Sequence, residues 1–249
     1  MHISLAAEKI FSIGPLAISN SMINTYVVMI LLLLVTFKVG GNVKTIPGRL
    51  QSLIELIIEA ILNLVEGVAS VHTRKIFPFV FTFFIFILCS NWIGLLPGVG
   101  TIGLKEIVHG EEEFVPLFRA ATADLNTTLA MAIVAMIAVQ IFGFKSLGIK
   151  YSKKFFDFSS PIMFFVGLLE LISEFSKIIS FGFRLYGNIF AGEVLMGVIA
   201  FLLPVIAPTP FYFLEVFVGF IQALVFTLLL TVFLTGAAES HSESAAHDH

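Results

Sequence analysis

The chain is poor in charge. Only 12% of its 249 residues are Asp, Glu, Lys or Arg, whereas 58% are hydrophobic. A soluble domain of this length has no means of hiding so much apolar surface, so the bilayer is the expected solvent. Cysteine is all but missing: the single Cys89 lies inside an apolar run, which excludes an intrachain disulfide framework and a Cys-based metal cluster. No basic face with interleaved aromatics is present, so nucleic acid is not an expected partner. The N-terminal residues lack a positive cluster ahead of a short apolar core, and the expectation is that the first span is retained. No histidine sits within an apolar run. His72 and His109 fall in or near loops, and His241, His247 and His249 belong to a polar tail. An intramembrane metallohydrolase therefore lacks a histidine pair inside a span, and spacing within the tail is only a weak argument for a metal.

What is present is a series of apolar runs, rich in the chain's 28 phenylalanines. The first covers about 22–37 and ends at Lys38, Lys44 and Arg49. The second covers about 76–96 and follows Arg74 and Lys75. The third covers about 120–144 and leads into Lys145, Lys150, Lys153 and Lys154. Between the second and third lie Glu106, Glu111, Glu112 and Glu113. The positive-inside rule puts the lysine-rich loops on the cytoplasmic or equivalent side and the acidic loop outside. Residues 1–20, broken by Gly14-Pro15, read as a short outer segment or a surface-lying helix. Over 48–72, Ser52, Glu55, Glu59, Asn63 and Glu66 recur on one helical face. This predicts an amphipathic helix on the inner surface or facing a partner.

The final third differs. No proline interrupts the chain between Pro161 and about 203, which predicts one helix of about 60 Å, twice the hydrocarbon thickness. Such a helix must lie far from the membrane normal. Two shorter spans broken near Arg184 are the alternative. Pro204, Pro208 and Pro210 mark a turn, after which a second long apolar helix runs over about 211–234. The expected fold class is an all-α polytopic membrane protein with about five crossing helices plus the amphipathic one. Its parts are an outer segment (1–20), three spans with the surface helix (21–156), a strongly tilted helical hairpin (157–236) and a polar tail (237–249).

Arg184 stands in the middle of the long apolar helix. A guanidinium keeps its charge, and a mid-helix arginine costs roughly 2.5–3.5 kcal/mol even on lenient insertion scales. Glu170, Glu174, Lys177, Arg184 and Asn188 fall within roughly an 80° arc of that helix. Ser173, Ser176, Ser180, Gly187 and Ala191 form an adjoining small-residue stripe, which lets another helix approach closely. The two stripes predict a partner that packs tightly and brings a carboxylate; an internal Arg–Glu pair is the alternative. Glu193 falls nearly opposite Arg184 and is expected to face the chain's own interior. Glu215 and Gln222 share a face of the last helix. Asp124, Glu193 and Glu215 are expected to line one outward-opening, water-accessible vestibule that stops near Arg184.

The Arg184 segment, Phe183-Arg184-Leu185-Tyr186-Gly187-Asn188-Ile189-Phe190-Ala191-Gly192-Glu193, resembles subunit a of the F-type rotary ATP synthases. So does Gln222 within Phe220-Ile221-Gln222-Ala223-Leu224-Val225-Phe226. Thr122-Ala123-Asp124-Leu125-Asn126-Thr127-Thr128-Leu129 and Asn91-Trp92-Ile93-Gly94-Leu95-Leu96-Pro97 are similar to further motifs of that family. The likeness covers about 20–236.

The resemblance implies a tilted hairpin packed against a rotating ring of c subunits, each with a lipid-buried carboxylate. The family's essential arginine corresponds to Arg184 and its polar neighbours to Asn188, Glu193 and Gln222. Protons (or, as the alternative, sodium) would pass through two half-channels that do not meet, with Arg184 between them. Peripheral-stalk b subunits and the lipid bilayer are the other implied partners. No cofactor, metal or covalent chemistry is expected in this chain. The implied location is an energy-transducing membrane, bacterial plasma membrane above organellar, with the N-terminus outside and the C-terminus cytoplasmic. One departure stands out: similar bacterial proteins carry histidine where this chain has Glu215. A self-contained proton-coupled transporter is the rival reading, but such folds usually show repeated halves, and this sequence shows no internal repeat.

Overall fold

The computed structural model describes residues 9–13, 16–41, 43–69, 72–96, 99, 103–108, 111–117, 119–155, 160–203 and 208–239. Six helices dominate: α1 (Asn20–Gly40), α2 (Arg49–Ala69), α3 (Thr73–Gly94), α4 (Leu125–Leu147), α5 (Pro161–Leu202) and α6 (Pro208–Glu239). By length and apolarity α1, α3, α4 and residues 208–238 of α6 are able to cross a membrane. The fold is therefore all-α and polytopic, as expected, and four helices among the described residues meet that measure by themselves. Helix α5 has the length, but Glu170, Glu174, Lys177, Arg184 and Glu193 interrupt its apolarity.

Two short antiparallel hairpins lie outside the bundle. Strand β1 (Lys9–Ile13) pairs with β2 (Leu16–Ser19), and β3 (Gly103–Val108) pairs with β4 (Glu111–Pro116). Of the two readings of 1–20, a short outer segment or a surface-lying helix, the strands at Lys9–Ile13 and Leu16–Ser19 rule against the helix over those residues; Ser19 ends the second strand and caps α1, its hydroxyl accepting from the Met22 amide. The other pair shows that the acidic loop is a hairpin, in register from Gly103↔Pro116 to Val108↔Glu111.

Helix α1 has the inverse of a soluble pattern. Its buried residues include Asn20, Ser21 and Asn24, while Ile30, Leu34 and Phe37 are exposed. Lipid is as apolar as a protein core, so polarity turns inward to find partners. Helix α2 keeps Ser52, Glu55, Glu59, Asn63 and Glu66 exposed and buries Ile61, Val65 and Ala69 against the bundle.

Helix α3 begins at the basic pair and stacks Phe77 on Phe81 and Phe79 near Phe83, with ring centroids 5.5 and 5.0 Å apart. The third span starts at Leu125, not at 120: Ala121–Ala123 form a 3-10 turn and Asp124 caps α4. At its other end Gly148 adopts φ 61°, a left-handed conformation that favours glycine, and a 3-10 segment (Gly148–Lys154) follows.

Helix α5 runs unbroken for 42 residues from Pro161, with Ser160 as its cap. The two-span alternative is thus excluded. At 1.5 Å per residue the helix is about 63 Å long. Helix α6 starts earlier than expected, because Pro208 and Pro210 occupy its first turn, where amide hydrogens have no helical acceptor. It also ends later, at Glu239, and buries Ala237 and Ala238. The tail boundary at 237 is corrected accordingly; residues 240–249, with His241, His247 and His249, lie outside the described residues.

The core is where α3, α4, α5 and α6 meet. Phe226 stacks on Phe83 at 5.5 Å and meets Phe181 edge-on at 4.7 Å. Buried Thr227, Thr231 and Thr235 each donate to the carbonyl four residues back, so α6 satisfies its own hydroxyls.

Candidate functional site

The polar residues of the helical hairpin form three groups along α5. The central group holds Arg184, Asn188 and Gln222. Arg184 is exposed; Nη2 donates to Ser180 Oγ at 3.3 Å, and its guanidinium lies 5.8 Å from the Phe181 ring centroid. Among the described residues no carboxylate pairs with it, so the internal Arg–Glu alternative finds no support. One turn on, Asn188 Nδ2 donates to Gln222 Oε1 at 2.6 Å. Gln222 is buried and its Nε2 has no partner.

The second group lies nearer the turn between α5 and α6. Glu193 does face inward, and its partner is Arg119, which sequence reasoning missed. Nε and Nη2 of Arg119 donate to Glu193 Oε2 at 3.2 and 3.1 Å. The available signal was position: Arg119 is a cation close to the acidic stretch rather than in the lysine-rich loops. Glu215 is 6% exposed, and its carboxylate packs directly over Gly192, so closely that any Cβ there would collide with it. Two sequence-distant carboxylates are thereby seated on adjacent residues of α5.

Asp124 is placed otherwise. Its carboxylate accepts from the Ser21 hydroxyl at 2.8 Å, from the Asn126 amide at 3.1 Å and from Thr127 at 3.4 Å. It caps α4 and ties that helix to α1, and no hydrogen bond joins it to Glu193 or Glu215 among the described residues. A capping carboxylate spends its acceptor sites on local donors in this way. The two remaining motifs meet beside it. Asn91 Nδ2 donates to the Gly219 carbonyl at 2.9 Å, the Thr122 hydroxyl donates to Asn91 Oδ1 at 2.6 Å, and Trp92 Nε1 donates to the Val216 carbonyl at 3.1 Å. Together they clamp the end of α3 to α6. Asn24 is also fully buried, with neither amide atom bonded.

The third group is an internal network. Lys154 pairs with Glu170 at 2.7 Å and lies 3.6 Å from Glu174. Glu174 also takes Lys177 at 2.7 Å and Gln140 at 3.0 Å, and Tyr151 donates to Gln140 at 2.9 Å. Glu174 is 9% exposed. This corrects the expectation that Glu170, Glu174 and Lys177 face a partner. The buried stripe of α5, Gly167, Glu174, Phe181, Leu185 and Ile189, overlaps one edge of the polar arc, and Lys154 and Gln140 draw those three side chains inward. Arg184 sits on the other edge, beside exposed Ser176, Ser180, Gly187 and Ala191 and half-buried Ser173. Burial acts against the Lys154 ammonium, but Glu170 and Glu174 outweigh it and hold the group above its ordinary value. Burial pushes the Tyr151 phenol up as well, against the pull of Lys154. Among the described residues no three His, Cys, Asp or Glu converge as a metal site.

Along the hairpin, Arg184 stands exposed without a carboxylate partner among the described residues, while Glu170, Glu174, Lys177 and Glu193 are paired and Glu215 is buried. Residues 21–235 match the ATP synthase A chain family. The chain is 34% identical over 232 residues to ATP synthase subunit a of Geotalea daltonii, covering 90% of this chain and 92% of that one. It is 34% identical over 234 residues to ATP synthase subunit a of Moorella thermoacetica, covering 94% and 97%. To ATP synthase subunit a of Gloeobacter violaceus it is 32% identical over 235 residues, covering 94% and 89%. The unpaired arginine, the helical hairpin that carries it and these matches along nearly the whole chain have one conclusion: this multi-pass membrane protein belongs to the ATP synthase A chain family.

Proposed function

We propose that this chain is the ion-translocating stator subunit of a rotary ATP synthase, carrying protons between two offset half-channels by way of carboxylates on a rotating c-ring. The observation that carries this reading is Arg184, exposed and without a carboxylate partner among the described residues. A permanent charge in an apolar setting calls for a counter-charge, and a partner helix can supply one across the Ser176–Ser180–Gly187–Ala191 flank.

The outer half-channel runs past Arg119, Glu193 and Glu215 towards Asn188 and Gln222. The inner one opens on the far side of Arg184, in the direction of Ser180, Ser176 and Ser173. A ring carboxylate protonated at the outer opening is neutral and enters lipid. On reaching the other side it loses its proton, because the Arg184 guanidinium favours the ionised form. The same charge opposes direct proton flow between the openings. The chain makes and breaks no covalent bond. Its lysine-rich loops lie in the cytoplasm, its N-terminus outside and its C-terminus inside, in a bacterial plasma membrane. Helix α5 lies strongly tilted in that membrane, and b subunits hold the chain against the ring.

Cysteine cross-linking in the assembled complex tests this reading. Cysteines replacing Ser180, Gly187 and Ala191 form disulfides with a cysteine near the ring carboxylate, while those replacing Gly182 and Leu185 do not. The reverse pattern overturns the assignment. Proton transport by the purified chain alone in liposomes instead supports a self-contained transporter.

A further inference from the structure

A cavity of about 150 Å³ opens between α3, α4 and α6, away from the proposed proton path. Its walls are apolar: Ile76 and Phe79 from α3, Ala138, Ile141 and Phe142 from α4, and Leu234 from α6. Its remaining lining residues are Lys75 and Lys145. Lys75 is the third residue of α3 and Lys145 lies in the last turn of α4. The two helices run in opposite senses, so both lysines belong to the same end of the bundle, while Phe79 and Ala138 lie deeper. Both lysines are exposed, and neither has an ion-pair partner among the described residues.

That order, charge at the helix ends and an apolar slot leading inward, is the order of a phospholipid. We propose that this cavity binds an anionic phospholipid, its headgroup phosphate between Lys75 and Lys145 and part of one acyl chain along Phe79, Ala138 and Ile141. Two like charges brought to one apolar cavity repel, and an anion between them relieves the repulsion. Basic pockets between membrane helices are suited to anionic headgroups for this reason. An apolar cavity of roughly this size holds a benzene-sized guest. The slot therefore grips a short length of chain and leaves the rest of the lipid in the bilayer. His72 adds a polar group at the same end: its ring meets Phe142 edge-on at 6.2 Å, and its buried Nδ1 has no partner.

The test uses the assembled complex in lipid nanodiscs with a photoreactive diazirine on the upper acyl chain, carried either by phosphatidylglycerol or by phosphatidylcholine. Mass spectrometry maps the adducts. Phosphatidylglycerol is expected to label Phe79, Ala138 or Ile141 several times more than phosphatidylcholine. Lys75→Gln and Lys145→Gln each lower that labelling about fivefold, the usual effect of one basic residue at an anionic surface. Ala138→Phe fills the slot and lowers labelling while keeping both charges. Equal labelling by the two headgroups, or labelling unchanged in the double lysine variant, overturns the proposal. So does the lack of any adduct at these residues in the parent complex, the result expected where a helix of another subunit fills the slot.

Discussion

Asn188 and Gln222 join the two arms of the helical hairpin by a 2.6 Å hydrogen bond, one turn from Arg184. Only half of the Gln222 amide is used, since its Nε2 is buried without a partner. Replacing a half-satisfied buried amide by an apolar side chain costs little, because the lost bond and the removed orphan donor offset each other. Gln222→Leu is therefore expected to change thermal stability by less than about 1 kcal/mol and still to slow ATP-driven proton pumping, since Asn188 loses its anchor. A melting curve and a pumping assay on one preparation check both halves.

Arg184→Ala is expected to reduce pumping and ion-driven ATP synthesis to background while the complex assembles normally. Among the described residues the polar contact of this side chain is one exposed hydroxyl, so its loss removes little that holds the fold. Lysine rescues poorly, because a compact, strongly hydrated ammonium does not reproduce the planar guanidinium fork. Near-normal coupled synthesis in an assembled Arg184→Ala complex refutes the mechanism.

Gly192→Ala is expected to displace the Glu215 carboxylate, the group its new methyl would strike. Glu215 is almost fully enclosed and has little room to yield. Pumping should fall about as far as in Glu215→Gln, and combining the two changes should add little. Glu215→His is expected to keep more activity than Glu215→Gln, since imidazole still exchanges protons near neutral pH. Pumping rates of the four variants across a pH series decide the matter.

Arg119→Ala leaves Glu193 without its counter-charge in a partly buried site. A loss of about 1–3 kcal/mol is expected, with weakened pumping. If the pair serves assembly alone, exchanging the two charges in Arg119→Glu with Glu193→Arg restores both. Restored assembly with pumping still lost assigns Glu193 to the proton path.

Lys154 and Tyr151 both hold their protons more tightly in the folded chain than their ordinary values of 10.5 and 10.0 imply. Unfolding releases those protons, so the stability they contribute is present below about pH 10 and declines as pH rises further. Thermal unfolding of the complex between pH 9 and about 11.5 should show this decline. Lys154→Met with Tyr151→Phe should start less stable and decline less steeply.

The spans and the long helix were legible because their signals are local. Apolar runs bordered at one end by lysine or arginine mark α1, α3 and α4, and the stretch without proline after Pro161 marks α5 as one helix. The wheel of α5 also separated Glu193 from Arg184. It failed at Glu174, because a wheel ranks angles and does not say which edge of a polar arc a neighbouring helix will cover. The hairpins at 9–19 and 103–116 were missed, since short paired strands carry little periodic signal.

Sequence alone determined that this chain lives in a membrane, which stretches form its long helices, and that Arg184 needs a counter-charge. Each follows from the cost of putting charge, proline or an apolar run in a given place along one helix. Tertiary structure alone decided which groups meet. Arg119 reaches Glu193 across 74 positions, Asn91 reaches Gly219 across 128 and Glu174 reaches Gln140 across 34. These pairings depend on how deep each helix sits and how it is turned about its axis. Packing sets both quantities through close approaches such as Glu215 over Gly192, and no periodicity within a single helix encodes them.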